Sequence, residues 1–153
     1  MVSWEKPDVL IHSAAVSDYS VDGVFVKGAS GLLTPIDSSG KVSSKNPELF
    51  LRLVLTNKLV DLVRTKWKFE GTLVKFKLEV GISDSELLAI ADKSQKASGA
   101  DIMVANCLEW ASKYAYILGP DGSPVTRVSR RSLPSMLYKK IEPSQPVMRW
   151  RAN

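Results

Sequence analysis

The chain has 153 residues, of which 44% are hydrophobic and 24% are charged, so its size and composition are those of one compact globular domain. It contains no apolar run of the roughly 18 residues that a membrane span needs and no signal-peptide pattern, which predicts a soluble, cytoplasmic protein. The net charge of +5 would attract anions, but Lys and Arg are scattered among acidic residues, so a small phosphorylated ligand explains the charge as well as nucleic acid does.

The first third of the chain predicts a buried strand, a flap and a half-buried strand. Residues 8–13 (DVLIHS) form a short apolar run after Pro7, which is typical of a strand buried on both faces of a parallel sheet. Residues 23–40 are rich in Gly, Ser, Thr and Pro and predict a long mobile loop or flap. Leucine occupies every second position of residues 49–55, which predicts a strand with its leucines on the buried face.

A helix is predicted next, with Thr56 or Asn57 as its N-cap. Four apolar residues fall on its predicted inward side: Leu59, Val60, Val63 and Trp67. Residues 72–78 (TLVKFKL) then predict the next strand of the sheet.

The strongest helix signal is the capping-box pair of Ser83 and Glu86. The helix that begins there should turn three apolar residues inward and end at Gly99, which can adopt a left-handed C-terminal stop. The inward residues are Leu87, Ile90 and Ala91.

The last third predicts a buried strand, a hairpin and a helix. Residues 101–105 (DIMVA) form the strand, which ends at Asn106, and residues 114–118 lead through a Gly-Pro-Asp-Gly turn into residues 125–128. Ser132 can cap the helix, whose inward residues are Leu133, Leu137 and Ile141.

Strands that alternate with helices predict an α/β fold, an open Rossmann-like and mostly parallel sheet with flanking helices and a flap or hairpin. We assign residues 1–142 to a single α/β domain, with the flap over about residues 20–48, and residues 143–153 to a frayed C-terminal tail. Ligands of such sheets bind at the carboxyl ends of the strands. Polar residues follow three predicted strands there: Ser17 and Asp18, Lys77 and Glu79, and Asn106.

The common enzyme motifs are missing from the sequence, which has no Gly-x-Gly-x-x-Gly, no Walker lysine loop and no Gly-x-Ser-x-Gly elbow. His12 lies inside an apolar strand, which favours a hydrogen-bonded core histidine over a catalytic base. Cys107, the one cysteine, cannot form an internal disulfide, and its apolar neighbours favour a buried structural thiol. One Cys and one His cannot supply a zinc ligand set.

Four short stretches of the chain form a recognisable series: residues 11–19 (IHSAAVSDY), 41–44 (KVSS), 74–79 (VKFKLE) and 100–108 (ADIMVANCL). Phosphopantothenoylcysteine synthetases carry similar stretches in the same order. Each is weak alone, but four in register over about a hundred residues make chance resemblance implausible. The chain therefore resembles the C-terminal two-thirds of this family's domain, and most closely the stand-alone synthetases of eukaryotes and some Gram-positive bacteria.

The resemblance implies a ligase of coenzyme A biosynthesis. In that family CTP or ATP activates 4'-phosphopantothenate as an acyl-nucleotidylate, with Mg²⁺, and the amine of cysteine then displaces the nucleoside monophosphate. Ala14, Ala15 and Asp18 match residues that line the phosphopantothenate and nucleotide pocket, and the Asp18 carboxylate can engage Mg²⁺ directly or through water. Lys41 and Asp18 match the catalytic positions, and Lys41 on a mobile loop is suited to following a moving charge.

Three further residues match the family's nucleotide site. Phe76 matches an aromatic residue that packs against the base, and Lys77 and Asn106 would lie near the base, ribose or phosphates. From the residues alone, Phe76 is equally a core phenylalanine, Asn106 a turn residue at a strand end, and Asp18 a turn or helix cap.

The resemblance also leaves gaps. The family's Gly-rich phosphate turn and its Asn-x-Ser-Ser-Gly segment have no counterpart here, and Cys107 stands where the family often has Asp. The sheet would keep an open edge that calls for a covering partner, which could be a chain supplying the N-terminal half. The family forms homodimers in which the flap reaches toward the neighbour's site, so a homodimer is the other expected assembly. The alternative is a non-catalytic relative that binds a nucleotide or a partner protein, and a nucleic-acid binder is a third possibility that the scattered charges disfavour.

Overall fold

A computed structural model describes residues 7–120 and 123–142 of the chain, and the predicted tail, residues 143–153, lies outside them. In chain order the elements are β1 (Val9–His12), β2 (Tyr19–Lys27), β3 (Leu33–Ile36), β4 (Phe50–Leu55), α1 (Leu59–Thr65), β5 (Thr72–Glu79), α2 (Asp84–Ser98), β6 (Ile102–Cys107), β7 (Tyr114–Leu118), β8 (Thr126–Ser129) and α3 (Leu133–Ile141). They form two compact units. Residues 1–14 and 60–153 make up the sheet unit, and residues 15–59 make up the flap unit.

The sheet unit contains five strands in the order β1-β5-β6-β7-β8. β1, β5 and β6 run parallel, and β7 and β8 follow antiparallel as the predicted hairpin. This arrangement confirms the predicted α/β class with a Rossmann-like sheet. It also brings the carboxyl ends of β5 and β6 side by side, because Leu78 and Glu79 pair in register with Asn106 and Cys107.

The helix α2 forms as the sequence predicts because both of its ends are capped. Ser83 Oγ accepts a hydrogen bond from the Glu86 backbone N–H at 3.3 Å, and the Ser83 N–H donates to the Glu86 carboxylate at 2.9 Å. Gly99 ends the helix in the left-handed conformation, with φ of 64°. Leu87 and Ala91 are buried against β6, as predicted, whereas Ile90 is exposed.

The helices α1 and α2 cover one face of the sheet, and α3 covers the other. Val63 of α1 packs with Leu73, and Leu87 of α2 packs with Met103, which alternation places on the same face as Leu73. On the opposite face the apolar side of α3 packs against a cluster from β5 to β8: Val74, Ile102, Val104, Ala115, Ile117 and Val128.

Two helix caps that the sequence predicts do not form. The Thr56 hydroxyl donates to the Ser17 carbonyl at 2.6 Å instead of capping α1, and Ser132 makes no side-chain cap to α3 because its hydroxyl bonds to Ser129. The predicted inward side of α1 is also partly wrong. Val60 and Val63 are buried, but Leu59 is exposed and so is Trp67, which lies beyond the helix end.

The Arg64 side chain ties α1 to the amino ends of β5 and β6. Its guanidinium donates to the carbonyls of Phe69, Gly71 and Gly99 at 2.5, 2.9 and 3.0 Å. It also forms an ion pair of 2.6 Å with Asp101, whose same carboxylate oxygen accepts the Leu73 N–H. These contacts fix the position at which β5 begins.

The flap unit is an antiparallel sheet in the order β3-β2-β4. Residues 23–40, predicted as a long mobile loop or flap, are not a loop throughout, because β2 runs to Lys27 and β3 spans Leu33–Ile36. The Gly-rich composition belongs to the turn between them. The Gly28 N–H donates to the Leu32 carbonyl at 2.9 Å, and Gly31 adopts φ of 82°, which glycine tolerates without strain.

The predicted strand over residues 49–55 forms as β4, but its leucines are not buried. Leu51, Leu53 and Leu55 are 56%, 54% and 73% exposed. Tyr19 and Val21 of β2, which pair with Leu55 and Leu53, are also exposed, whereas Val24, which pairs with Leu51, is buried. One face of the flap sheet therefore presents a row of apolar side chains. Period-two patterning indicates that a strand has an apolar face, and it does not say which neighbour covers that face.

Candidate active site

The turn after β1 carries Ala14, Ala15 and Asp18, all of which are exposed. The residue that stabilises this turn is Ser17, whose hydroxyl donates to the Tyr19 carbonyl at 2.6 Å and accepts the Tyr19 N–H at 3.2 Å. The Asp18 backbone carbonyl accepts the Thr56 N–H, while its carboxylate makes no hydrogen bond or ion pair to any residue that the structure describes. Asp18 is therefore not the turn cap that the sequence left open.

Lys41 lies in the segment between β3 and β4 and is exposed. Ser43 shapes this segment, since its hydroxyl accepts the Lys45 N–H at 3.3 Å and its carbonyl accepts the Asn46 N–H. Among the described residues no carboxylate pairs with Lys41, and no ion pair joins it to Asp18. The ammonium group is thus presented to solvent on the flap unit.

Phe76 and Lys77 are neighbours near the carboxyl end of β5 and therefore point to opposite faces of the sheet. Phe76 is half-buried and packs against the cluster beneath α3, so part of its ring serves the core, as the residues alone allowed. Lys77 is on the face of α1 and α2, where its ammonium lies 2.7 Å from the Glu79 carboxylate.

Asn106 lies within β6 and not in a turn. It pairs in register with Leu78, and alternation places its side chain on the same face as Phe76. Its amide is half-buried and makes no hydrogen bond within the described part of the chain, which leaves both its donor and its acceptor available. The structure thus brings Phe76 and Asn106 together on one face of two adjacent parallel strands, with Lys77 on the other.

Sequence reasoning missed Glu109, which joins the ends of β5 and β6. Its two carboxylate oxygens accept the Gly81 N–H at 2.8 Å and the Cys107 S–H at 2.7 Å. The bond from Cys107, together with the backbone bonds, lowers the pKa of Glu109. Cys107 itself is buried, as predicted. In the sequence, the one signal for the contact between Cys107 and Glu109 was an acidic residue two positions after the end of a strand.

A second missed contact fixes the start of α2. The Tyr116 hydroxyl donates to the Asp84 carboxylate at 2.5 Å, and this bond, with burial, raises the pKa of Tyr116 to about 12. Tyr116 also meets Trp110 edge to face, and Trp110 stacks on Tyr114 with ring centroids 4.0 Å apart. These rings hold the carboxyl-end loop of β6 against β7.

No group of three or more His, Cys, Asp or Glu side chains that could enclose a metal ion occurs among residues 7–120 and 123–142. A Mg²⁺ ion that accompanies a nucleotide needs only one or two protein carboxylates, because phosphate oxygens and water complete its shell. The exposed, unpaired carboxylate of Asp18 fits that requirement. No helix in the described segments is long and apolar enough to cross a membrane.

No protein-family model matches the chain. The chain is 32% identical over 143 residues to the coenzyme A biosynthesis bifunctional protein CoaBC of Thermococcus kodakarensis, and the match covers 90% of this chain and 32% of that protein. The crystal structure of the DNA/pantothenate metabolism flavoprotein from Streptococcus pneumoniae is similar with a TM-score of 0.71 and 27% identity, over 90% of this chain and 64% of that chain.

A further likeness, to the C-terminal domain of a CoaBC protein, has a TM-score of 0.56 at 17% identity, covers 89% of this chain and 54% of that chain, and shows the fold alone. The chain thus spans about a third of the curated relative and less than two thirds of either solved chain. The four sequence motifs, the sheet topology and these similarities all indicate the same family. These likenesses confirm the resemblance to the phosphopantothenoylcysteine synthetase family that the four motifs indicate.

Proposed function

We propose that the chain is the acid-activating part of a phosphopantothenate–cysteine ligase of coenzyme A biosynthesis. The observation that carries the proposal is the 32% identity to a coenzyme A biosynthesis protein over 90% of this chain. The exposed side chains of Asp18 and Lys41 support it, as does the half-buried amide of Asn106, because each has unused capacity to bind a ligand.

The proposed reaction has two steps and no covalent enzyme intermediate. A carboxylate oxygen of 4'-phosphopantothenate attacks the α-phosphorus of CTP or ATP, a P–O bond forms, and pyrophosphate leaves. The amine of cysteine then attacks the acyl carbon, loses a proton, and expels the nucleoside monophosphate. The first step brings two anions together, so the site must supply cations and oriented dipoles.

We propose that Lys41 and Asp18 reduce the repulsion between these two anions. The unpaired ammonium of Lys41 would neutralise charge on the α-phosphate as the carboxylate approaches. Asp18 would hold the Mg²⁺ that shields the triphosphate, and Ala14 and Ala15 would let the substrate approach the backbone. A lysine suits this role because its ammonium is a compact point charge on a flexible stem.

For the nucleotide we propose Phe76 as the surface against which the base packs and Asn106 as a hydrogen-bonding partner on the same face. Lys77 lies on the opposite face and is paired with Glu79. Lys77 can contact the nucleotide only where the nucleotide extends over the ends of the strands. A phosphate of the nucleotide would then take the place of the Glu79 carboxylate as the partner of the Lys77 ammonium.

The test of this proposal separates binding from chemistry. The shift in Tm is measured with CTP or ATP, with and without Mg²⁺ and phosphopantothenate, and pyrophosphate release is then followed before and after cysteine is added. Lys41→Met should reduce pyrophosphate release at least tenfold, whereas the control Lys45→Met, an exposed lysine four residues away, should leave it unchanged. Equal rates for the two variants would exclude the role of Lys41.

A non-catalytic relative that binds a nucleotide or a partner protein is the second candidate. It is favoured by the exposed apolar side chains of β2 and β4, which suit contact with a partner protein. A nucleotide-dependent rise in Tm without pyrophosphate release in any mixture would select this alternative.

We further propose that the protein acts in the cytoplasm as a homodimer, with the apolar face of the flap sheet at the interface. The support is the row of exposed side chains on β2 and β4, which a monomer would leave in water. Leu53→Lys should shift the mass measured by light scattering from dimer to monomer, while Leu108→Lys, an equally exposed leucine on the sheet unit, should not. A monomeric wild-type protein would refute the interface.

A further inference from the structure

The carboxylate of Glu109 joins two segments at the carboxyl edge of the sheet. One oxygen accepts the N–H of Gly81, which follows β5, and the other accepts the S–H of Cys107, the last residue of β6. The Cys107 sulfur also lies 3.9 Å from the carbonyl oxygen of Ile82. Glu109 therefore contacts both the segment that enters α2 and the end of the neighbouring strand.

These contacts extend the pairing of β5 and β6 beyond the strands themselves. The last pair in register is Glu79 with Cys107, and the Leu108 N–H then donates to the Glu79 carbonyl at 2.9 Å. The bond of 2.8 Å from Gly81 to Glu109 continues this pairing with a side chain as the acceptor. Because Glu109 is exposed, water competes for these donors and the bonds add little to the stability of the fold. Their main effect is to hold the edge of the sheet in one geometry.

Asn106 is the residue that this arrangement holds most directly. It precedes Cys107 in β6, and alternation places the two side chains on opposite faces of the sheet. The Asn106 amide is half-buried and makes no hydrogen bond to another described residue, so no bond of its own orients it. Its direction depends on the backbone at the end of β6, where the bond from Cys107 to Glu109 fixes the last residue.

We propose that Glu109 is a positioning residue for nucleotide binding, and that it acts through Cys107 and the β6 backbone to orient the Asn106 amide. This inference rests on the proposed function, in which Asn106 is a hydrogen-bonding partner of the nucleotide. Phe76 needs no such support, because it lies farther inside the paired region and packs against the cluster beneath α3. Loss of Glu109 should therefore affect one contact to the nucleotide and leave the other in place.

The first measurement uses the protein without any ligand. The side-chain NH₂ signals of Asn106, identified by their loss in Asn106→Ala, are compared by ¹⁵N NMR in the wild type, in Glu109→Ala and in Glu70→Ala. The last variant is the control, because Glu70 is an exposed glutamate just before the amino end of β5. We expect Glu109→Ala to shift the Asn106 signals and Glu70→Ala to leave them unchanged. Asn106 signals that are the same in all three proteins would overturn the inference.

The second measurement is the affinity for CTP and for ATP with Mg²⁺, by titration calorimetry, together with KM and kcat for pyrophosphate release. Glu109→Ala should weaken nucleotide binding and raise KM about fivefold, the usual effect of one hydrogen bond, and change kcat less than about twofold. In an Asn106→Ala protein the same substitution should have no further effect, because a positioning residue acts only through the group that it positions. Glu109→Gln keeps an oxygen that can accept the Gly81 N–H and should recover part of the affinity.

Equal losses of affinity from Glu109→Ala with and without Asn106 would overturn the inference, because a role in stability alone predicts that the two effects add. So would a loss of the same size in Glu70→Ala. Failure of the wild type to bind either nucleotide would count against the proposed function. In that case the Asn106 signals of the ligand-free protein still decide whether Glu109 orients the amide.

Discussion

Arg64→Ala should destabilise the sheet unit more than any other single change to a partly exposed charge. The substitution removes the donors for three carbonyls and for the Asp101 carboxylate. Each part-buried hydrogen bond is worth about 1 kcal/mol, and Asp101 is 40% exposed, so its lost ion pair adds about 1 kcal/mol and not the full cost of a buried charge. The exposed hydrogen bond to Gly99 adds little, so the expected total loss in the free energy of unfolding is about 3 kcal/mol.

That loss corresponds to a decrease in Tm of about 6–12 °C for a domain of this size, measured by circular dichroism or calorimetry. Arg64→Lys should lose about half as much, because one ammonium cannot reach acceptors that the planar guanidinium spans. The control is Arg52→Ala, since Arg52 forms a 3.2 Å pair with Asp22 but its side chain is 64% exposed, and a change below about 0.5 kcal/mol is expected. Equal effects of the two alanine variants would refute the reasoning.

Three other predictions concern α2 and its surroundings. Leu87→Ala should lower the free energy of unfolding by about 2–5 kcal/mol, because Leu87 is fully buried, whereas Ile90→Ala, one turn on and exposed, should cost less than about 1 kcal/mol; urea denaturation compares them. Ser83→Ala should cost about 1 kcal/mol by removing the N-cap, and a thermal melt that matches the wild type would contradict the capping box. The pKa of Tyr116 is raised from its ordinary value of 10.0 to about 12, so its contribution to stability is present below pH 10 and lost between pH 10 and 12. Tyr116→Phe should abolish this loss of stability. The variant should also lack the phenolate absorbance change near pH 12.

Local signals in the sequence determined most of the sheet unit. The capping box at Ser83 and the glycine at position 99 fixed both ends of α2, because these contacts join residues at most a few positions apart. The apolar runs around β1, β5 and β6 identified strands that are parallel in the structure, and the motifs on them identified the family. The flap strands were missed because glycine and serine in the turns outweighed the short apolar pieces between them.

Only the tertiary structure decided which apolar side chains pack against a neighbour and which polar side chains keep an unused hydrogen-bond donor or acceptor. The leucines of β4 have the pattern of a buried face and are exposed, because periodicity defines faces within an element whereas burial depends on the elements packed against it. In the same way the motif around Phe76 gave residue types, but the register between β5 and β6 placed Phe76 on the same face as Asn106. The Glu109 carboxylate accepts the N–H of Gly81, which lies 28 residues earlier in the sequence, a separation over which only the folded chain can specify a contact.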